Sequence, residues 1–533
     1  MTTDCDRERK VAGPVALVLL LLIATVLLAP LAERMTVPYP VVMLLFGLVV
    51  ALVPGVEVPT VDGDWILPVV LPPLLFAAAR RTSWRQFLDN RRAIGLLAVA
   101  LVAVTAFAVG AVAAAVVPGL PLVAGVALGA AVAPPDPVAA TAVARKLHLP
   151  RRLQTILEGE GLSNDATSLV LYEVAVAATA TGALSPAKAI GALSVAVSVG
   201  IGVGLAIAVA VRWLLTRLPA HPAGSGLVLV LPFAAYAAAD AAHGSGVLAV
   251  VTVALGLSRY GDVDSAQTRL VSGTTWEIVE LLLTGAAFAF VGLEIRNVAG
   301  SLTGPLDVAI GQALAVTAVV VVIRFAWIFP VSSIDERLRR RKGVAGEPVG
   351  WREMTVASWA GMRGVVTLAA VLALPAPGFP ERDRLIFIAF VVIVSTMVVQ
   401  GLTLPLLVKR LNVIASDDDK RDATRELLRR AKDAGTRRLE ELRTEGTLDE
   451  ETLGQAEDNA DRMWHSIGFT PGEDSEEESA RSVDHAKTLN AVKDDILAAA
   501  REEISSARAE SGVDPAVVDG VLRRLDVRGS QPE

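Results

Sequence analysis

The chain has 533 residues, of which 53% are hydrophobic and 20% charged, with a formal net charge of −7. Its many apolar runs of about 20 residues exclude a soluble enzyme built on one hydrophobic core, because no single core requires so many segments of membrane length. The single cysteine, Cys5, excludes an intrachain disulfide framework and a thiolate metal cluster. Nothing in the charge pattern supports nucleic-acid binding.

The net charge averages two unlike parts of the chain. Residues 411–533 contain 18 Lys or Arg and 30 Asp or Glu, a net charge of −12, which leaves +5 for residues 1–410. Nearly all the long apolar runs also fall within residues 1–410. We therefore expect a transmembrane domain over 1–410 and an acidic cytoplasmic tail over 411–533.

Thirteen apolar segments predict transmembrane helices, because about 20 apolar residues at 1.5 Å each span a bilayer. They lie near residues 12–31, 36–53, 65–79, 93–117, 119–144, 152–180, 187–215, 224–242, 244–259, 272–294, 305–331, 353–375 and 384–409. The first could also be a signal peptide, but the residues before it are balanced in charge rather than basic. The predicted fold class is an all-α polytopic membrane protein with about thirteen transmembrane helices.

The basic residues of the loops predict the orientation of these helices. Loops assigned to one side hold 20 Lys or Arg, and those assigned to the other side hold four. The positive-inside rule places the richer side in the cytoplasm. We therefore expect the N-terminus outside the cell, the tail inside, and an odd number of spans.

The fifth segment contains three prolines within four residues, at Pro134, Pro135 and Pro137, around Asp136. Each proline removes an N–H donor and clashes with the preceding turn, so the helix must be interrupted. Irregular backbone at membrane depth survives where protein buries it or where it lines a cavity. An acid at such a break is typical of a cation site; the alternatives are a re-entrant loop or two separate spans.

The sixth segment carries three acids, Glu158, Glu160 and Asp165, within eight residues. An ionisable side chain at membrane depth costs several kcal/mol and is a functional candidate by default. The three acids must therefore face the protein interior, with at least one of them paired. Asp165 shares a helix face with Ser168. A buried structural network is the alternative, and for Glu158 it is an equally good interpretation.

The twelfth segment contains Arg363 between Gly361 and Gly364. A buried arginine keeps its charge and needs an acidic partner. We predict Glu160 as that partner, because this pairing leaves Asp165 free to exchange a proton. The two glycines allow close helix approach or a second break.

The interruptions in the fifth and twelfth segments occupy matching places in two halves of the chain. This arrangement is typical of inverted repeats with a transport site at the repeat interface. Other charged residues in or near spans are interpreted mainly as side chains that reach the membrane surface from helix ends. They are Glu173, Asp240, Glu277, Glu280, Glu294 and Arg324.

Four motifs in order resemble the monovalent cation:proton antiporter-1 family, the NhaP and sodium/hydrogen-exchanger group, over residues 12–410. They are Leu-Pro-Pro-Leu-Leu-Phe at 71–76, Pro-Asp-Pro at 135–137, Glu-Gly-Glu-Gly-Leu-Ser-Asn-Asp at 158–165 and Gly-Met-Arg-Gly at 361–364. The resemblance implies thirteen spans, a homodimer in the lipid bilayer, two crossed unwound helices around an ion site, and no cofactor. It implies that Asp165, with Asp136, Asn164 and the carbonyl of Pro135, binds the transported cation and proton.

Three positions depart from the family pattern. Ala77 stands where related antiporters often have Glu, Gly161 replaces a Ser, and Pro135 replaces a Thr. The first two changes remove side-chain oxygens near the cation, and the third keeps only a backbone carbonyl. Replacement oxygens could come from three residues, namely Thr141, Ser163 and Thr167.

The resemblance implies an antiporter that exchanges sodium or lithium for protons at the plasma membrane, serving pH and sodium homeostasis. Competition between cation and proton for one carboxylate, that of Asp165, produces exchange. The neutral Asn164 beside it implies one-for-one, electroneutral exchange. The altered positions leave potassium/proton exchange on the same scaffold as an alternative.

Two other classes of protein compete with this interpretation. A channel would need a continuous wet path without proton coupling. An intramembrane hydrolase could use Ser225 or Ser245 with His243, or an aspartyl dyad of Asp136 and Asp165, although Gly-Ser-Gly stretches are more simply close-packing sites.

In the tail, the sequence predicts a charged helix up to about 445, an acidic linker at 473–478 and a helix over 482–511. The tail is either a solvated appendage or a regulatory module.

Overall fold

The computed structural model describes residues 2–35, 37–54, 63–81, 88, 90–147, 149–179, 185–215, 217, 222–259, 266–341, 350–376 and 378–414, with short stretches of the tail. The chain divides into two compact units, Met1–Ala415 and Ser416–Glu533. In the first unit the described residues form helices joined by short connections, without strands. The all-α class expected from the sequence is confirmed.

The helices of the first unit follow one another as predicted from the apolar segments. They are α1 (Thr2–Arg34), α2 (Tyr39–Ala51), α3 (Gly63–Arg81), α4 (Arg91–Val116), α5 (Leu122–Val132), α6 (Pro137–Lys146), α7 (Arg151–Thr179), α8 (Pro186–Leu215), α9 (Pro222–Ala241), α10 (Gly246–Arg259), α11 (Ala266–Leu293), α12 (Ile295–Ser301), α13 (Leu306–Arg341), α14 (Trp351–Trp359), α15 (Val365–Leu372) and α16 (Arg382–Leu411). Each of the thirteen predicted segments contains helix. Wider π-helical turns interrupt α4 at Leu96–Leu101 and α16 at Thr396–Gln400.

Six stretches of described helix are long and apolar enough to cross a membrane. They are Leu17–Arg34, Arg91–Val116, Ala187–Leu215, Thr274–Ser301, Leu306–Ile334 and Arg382–Leu411. Shorter apolar helices of 10–17 residues accompany them, among them α2 and α5. The protein is therefore a multi-pass membrane protein.

Small residues bring the helices around the centre of this unit close together. On α4 and α5, a Cβ atom at Gly125 would lie 2.5 Å from the carbonyl oxygen of Gly110, and one at Gly129 would overlap the backbone of Ala106. On α2 and α11, a Cβ atom at Gly47 would overlap the backbone of Ala289. Close backbone approach through small residues is the usual way in which helices pack inside a bilayer.

The second unit is described only in part. Residues 433–437, 439–441 and 443–444 are helical, and the hydroxyl of Thr444 donates to the carbonyl oxygens of Glu440 and Glu441 at 2.9 and 2.8 Å. These residues fall within the charged stretch that the sequence predicts to be helical up to 445. The predicted linker at 473–478 and the predicted helix at 482–511 lie outside the described residues.

Candidate functional site

Two interrupted helices meet at the centre of the first unit. Residues 133–136 separate α5 from α6, and residues 360–364 separate α14 from α15. The backbone N–H of Asp136 donates to the carbonyl oxygen of Met362 at 2.7 Å, so the two breaks lie against each other. Each break thus supplies a partner for backbone groups that the other leaves free, as backbone at membrane depth requires.

Asp136 lies between the N-termini of the two half-helices that follow the breaks. Its Oδ1 accepts hydrogen bonds from the backbone N–H groups of Val138 at 2.8 Å and Ala139 at 3.2 Å, which caps α6. The N–H of Val365, at the start of α15, also donates to this carboxylate. The positive ends of two helix dipoles therefore stabilise the negative charge of Asp136.

Gly364 permits this arrangement. Its backbone is extended, which any residue adopts, but a Cβ atom at this position would overlap the carboxylate of Asp136. Glycine is thus required here by the close approach of the two breaks and not by backbone strain.

Replacement of Gly364 by alanine is expected to lower the transport activity that the sequence predicts by about tenfold or more. The added methyl group must displace Asp136 or α15, and overpacking of this kind costs about 1–3 kcal/mol. Proton flux in reconstituted vesicles measures the effect. The matched control is Gly300→Ala on α12, where no atom lies within 4 Å of the added Cβ. Equal activity of the two variants would show that the contact between Gly364 and Asp136 is dispensable.

Asn164 and Asp165 present two buried oxygen atoms without a donor. The side chains are 0% and 1% exposed, and among the described residues neither Asn164 Oδ1 nor Asp165 Oδ2 has a hydrogen-bond partner. The Asn164 Nδ2 atom donates to the carbonyl oxygen of Pro135 at 3.1 Å, which fixes the orientation of the amide. Leaving a buried acceptor unpaired costs about 1–3 kcal/mol, and a cation or a proton would relieve this cost.

A hydrogen bond about one turn after Asp165 holds α7 beside the first break. The Ser168 hydroxyl donates to the carbonyl oxygen of Ala130 on α5 at 2.8 Å. Asp165 is close enough to Asp136 for the two carboxylates to interact electrostatically. These contacts bring Asp165, Asn164, Asp136 and Pro135 together, and their assignment as ligands stays a prediction.

Arg363 lies at the second break and is only 2% exposed. Its guanidinium donates from Nε to the carbonyl oxygen of Val132 at 2.8 Å, from Nη2 to that of Ala133 at 3.1 Å, and from Nη1 to that of Gly361. The first two carbonyls end α5, where helical carbonyl groups lack partners and the dipole is negative. The Arg363 N–H donates to Thr396 Oγ1 on α16 at 3.1 Å.

The predicted ion pair between Glu160 and Arg363 is wrong. Glu160 accepts two hydrogen bonds from Arg324 on α13, to Oε1 from Nη1 at 2.5 Å and to Oε2 from Nη2 at 2.8 Å. The physical reason is that the free carbonyls at the end of α5 compensate the charge of Arg363, so this cation does not require Glu160. Arg324 was interpreted as a residue that reaches the membrane surface, but it is 2% exposed in the middle of α13.

Arg324 also binds the helix that leads into the second break. Its Nε donates to the carbonyl oxygen of Ala357 at 3.1 Å, in the last turn of α14. Each half-helix that enters a break thus ends at an arginine, α5 at Arg363 and α14 at Arg324. A signal for this was present in the sequence, since a permanent cation inside a long apolar run must be buried and paired.

Among the described residues, none of the three possible extra oxygen ligands forms a hydrogen bond with Asp165. Ser163 is partly exposed on α7 and Thr167 is buried there. Thr141 Oγ1 donates to the carbonyl oxygen of Val138 at 3.3 Å and lies on the wall of a cavity between α2, α6 and α11. Their assignment as ligands stays a prediction.

The wall of the site that faces α3 is apolar. Ala77, which replaces the expected Glu, is buried in a cluster that includes Phe76 on α3 and Leu162 and Ala166 on α7. A cavity of about 30 Å³ lies beside Asp136, and its other lining residues are apolar, among them Val70, Leu71, Leu74 and Val365. This volume suffices for one or two water molecules or a small ion.

The described residues do not include a group of three or more His, Cys, Asp or Glu side chains that could hold a metal ion. A monovalent cation at this centre would depend on the two aspartates, the Asn164 amide and backbone carbonyls.

The Gly-Ser-Gly stretch around Ser245 has a structural explanation, because Ser245 Oγ caps α10 by accepting from the N–H of Leu248 at 3.2 Å. A Cβ atom at Gly246 would lie 2.6 Å from the Tyr236 ring, as expected for close packing.

Comparisons with known proteins agree with this architecture. A family model described as "Sodium/hydrogen exchanger, transmembrane" matches residues 20–410. An uncharacterized Na⁺/H⁺ exchanger of Mycobacterium tuberculosis is 36% identical over 407 residues, which cover 74% of this chain and 73% of the relative. A sodium, potassium, lithium and rubidium/H⁺ antiporter of Bacillus pumilus is 31% identical over 439 residues, which cover 78% and 65%.

The fold is similar to that of a solved structure. The sodium proton antiporter MjNhaP1 from Methanocaldococcus jannaschii matches 74% of this chain and 98% of its own length, with a TM-score of 0.58 and 18% sequence identity. At such low sequence identity, the match supports similarity of fold alone. The family match, the relatives and the crossed helix breaks lead to one conclusion: the chain belongs to the sodium/hydrogen exchanger family, and is a cation/proton antiporter rather than an enzyme.

Proposed function

We propose that the protein exchanges sodium or lithium for protons across the plasma membrane, with one cation for one proton. The observation that supports this most strongly is the pair of buried, unpartnered oxygens, Asn164 Oδ1 and Asp165 Oδ2, beside two crossed helix breaks. Acceptor oxygens without donors suit a cation and would repel an anion. The exchange would contribute to pH and sodium homeostasis.

Asp165 is the proposed carrier of both the cation and the proton. A carboxylate holds a cation when ionised and cannot hold it well when protonated, so the two ligands compete for one group. The Asn164 amide oxygen and the Pro135 carbonyl oxygen would add two ligands to a partly dehydrated ion. Alternating exposure of the loaded and protonated forms to the two sides then gives exchange without further chemistry.

Asp136 has a different proposed role. Its Oδ1 atom already accepts two backbone N–H groups, an arrangement that favours the ionised carboxylate. It would therefore remain charged and contribute an attractive potential to the cation. Because Asn164 is neutral, only Asp165 would change its charge in the cycle, which supports electroneutral exchange.

The choice of cation has a second candidate. The name of the Bacillus pumilus relative includes potassium and rubidium as well as sodium and lithium. Ala77 and Gly161 leave the wall around Asp165 with fewer side-chain oxygens than the family pattern supplies, which favours weaker discrimination among these ions. Potassium/proton exchange on the same scaffold is therefore the alternative proposal.

The proposal also includes an orientation and an assembly. Residues 1–410 would form the transport domain of a homodimer, with the N-terminus outside and the acidic tail 411–533 in the cytoplasm. The support is the 20-to-four distribution of basic residues between the loops of the two sides and the family resemblance.

Reconstituted vesicles that contain a pH-sensitive dye test the function directly. After a pH gradient is imposed, sodium or lithium is expected to release internal protons without a steady electrical current across the membrane. Potassium alone producing the response would favour the alternative cation. A sustained, voltage-driven current on sodium addition would contradict one-for-one exchange, and proton flux without any added cation would contradict antiport.

A further inference from the structure

Helix α16 widens into a π-helical turn at Thr396–Gln400, next to the second break. Turns of this kind are rare and are frequently found at functional sites. At the start of the turn, the hydroxyls of Ser395 and Thr396 donate to carbonyl oxygens of the preceding turn, at 2.5 Å to Val391 and 2.7 Å to Val392. Such bonds from serine and threonine bend a helix. The sequence of α16 thus distorts it where it passes the second break.

Three polar side chains lie along one face of α16. Thr396, Gln400 and Thr403 follow one another at positions i, i+4 and i+7, which are neighbours on a helix surface. The Thr396 hydroxyl oxygen accepts from the backbone N–H of Arg363 at 3.1 Å. The Thr403 hydroxyl oxygen accepts from the indole Nε1 of Trp359 at 2.8 Å. Because Trp359 precedes the second break and Arg363 lies near its other end, this polar face of α16 runs along the break.

Gln400 stands between these two contacts with an unpaired oxygen. Its side chain is 2% exposed, and among the described residues its Oε1 atom has no hydrogen-bond partner. The next residue touches the break, since a Cβ atom at Gly401 would lie 3.5 Å from Met362 Sδ. Within the break, the N–H groups of Gly361 and Met362 form no backbone hydrogen bond with another described residue. A buried acceptor thus lies beside backbone with unused donors, and one water molecule would bridge them.

Hydrogen bonds connect the polar face of α16 to the residues around Asp165. Thr396 holds the backbone of Arg363, whose guanidinium binds the two carbonyl groups at the end of α5 at 2.8 and 3.1 Å. The first break follows directly, and there the carbonyl oxygen of Pro135 accepts from Asn164 Nδ2 at 3.1 Å. A displacement of Arg363 would therefore move the first break and the oxygens beside it.

We propose that Thr396 and Gln400 are positioning residues that set the affinity of the central site for its cation. Thr396 fixes Arg363 directly, and Gln400 fixes the backbone before Arg363 through a bridging water molecule. The inference rests on the proposed function, because it concerns the cation site of that exchange. A binding site requires its ligands to be held within about 0.5 Å, so a loosened break weakens cation binding. The protonated form of Asp165 does not require these oxygens, so its return across the membrane is unaffected.

Substitution of Thr396 tests the proposal. Thr396→Val keeps the shape of the side chain but leaves the buried N–H of Arg363 without its acceptor. We expect the KM for the preferred cation to rise by about tenfold in reconstituted vesicles, while the maximal rate stays within about threefold of the wild type. Thr396→Ser retains the hydroxyl and should return the KM to within about twofold of the wild type. The cation-dependent rise in melting temperature in detergent measures the same affinity without transport.

A second variant and a matched control make the test specific. Gln400→Leu removes the unpaired oxygen at similar volume and should raise the KM by about threefold or more. It decides the proposal if Thr396→Val does not fold. The control is Thr317→Val on α13, where the hydroxyl also donates to the carbonyl four residues earlier, at 2.8 Å, and lies 3.4 Å from Ser395 Oγ. Its loss should leave the KM unchanged, since this hydroxyl is bonded to helices and not to the break.

The outcomes separate this proposal from the proposed function. If the wild type exchanges cations for protons but the folded Thr396 and Gln400 variants keep its KM, the positioning role is overturned and the proposed function stands. An equal rise in KM for Thr317→Val or Thr396→Ser would indicate a general loss of packing and would also overturn it. If the wild type neither binds nor exchanges sodium, lithium or potassium, the proposed function fails and this inference fails with it.

Discussion

Asp165→Asn is expected to reduce cation/proton exchange to the level of empty vesicles while the protein stays folded. Asparagine keeps the size of the side chain but cannot release a proton, and its amide offers less charge to a cation. Asp165 is 1% exposed and one of its oxygens has no partner, so its ionised carboxylate is a buried charge without compensation. The asparagine side chain cannot carry that charge and avoids its cost. The thermal stability of the variant should therefore equal or exceed that of the wild type.

The measurement is proton release from vesicles on addition of sodium, lithium or potassium, together with the elution profile and melting temperature in detergent. Glu173→Gln is the matched control, since it neutralises an exposed acid on the same helix, α7. Substantial exchange by Asp165→Asn would show that a group other than Asp165 carries the exchangeable proton. Loss of exchange together with loss of folding would instead assign Asp165 to the architecture.

Breaking the Glu160–Arg324 pair is expected to cost about 3–5 kcal/mol of stability. Both side chains are almost fully buried and joined by two hydrogen bonds, so removing one partner leaves the other as an isolated buried charge. Arg324→Met also leaves the carbonyl oxygen of Ala357 without its donor. We expect this variant to express poorly or to melt well below the wild type.

A double variant makes this prediction specific. Glu160→Gln/Arg324→Met removes both charges and should be more stable than Arg324→Met alone, because no unpaired charge remains. Thermal unfolding in detergent, followed by size-exclusion chromatography, gives the order of the wild type, Glu160→Gln, Arg324→Met and the double variant. Additive losses in the double variant would show that the two residues act independently and would contradict the buried ion pair.

The helices were predictable because membrane-spanning segments are long apolar runs that depend little on their neighbours. Both breaks were predictable for local reasons as well, since three prolines around Asp136 cannot occupy an intact helix and Gly361 and Gly364 weaken one. The meeting of the two breaks entered through the family resemblance. In the structure, the hydrogen bond from the backbone N–H of Asp136 to the carbonyl oxygen of Met362 joins the two breaks.

The ion pairs were not predictable in the same way. Sequence identifies Glu160, Arg324 and Arg363 as charges that need partners, but the choice among them depends on distances between helices far apart in the chain. The correct solution also depends on where α5 ends, because its free carbonyl groups are what Arg363 binds. The cavity beside Thr141 was not predictable for a similar reason, since it requires α2 and α6 to face α11.

The arginines at the ends of α5 and α14 have a consequence for ion discrimination. Carbonyl groups at the ends of interrupted helices commonly coordinate transported cations, but here guanidinium groups bind Val132, Ala133 and Ala357. Few fixed oxygens are then left to replace the hydration shell of an ion. An ion at Asp165 would keep part of its shell, so its dehydration energy, more than its radius, would decide which ions the protein accepts.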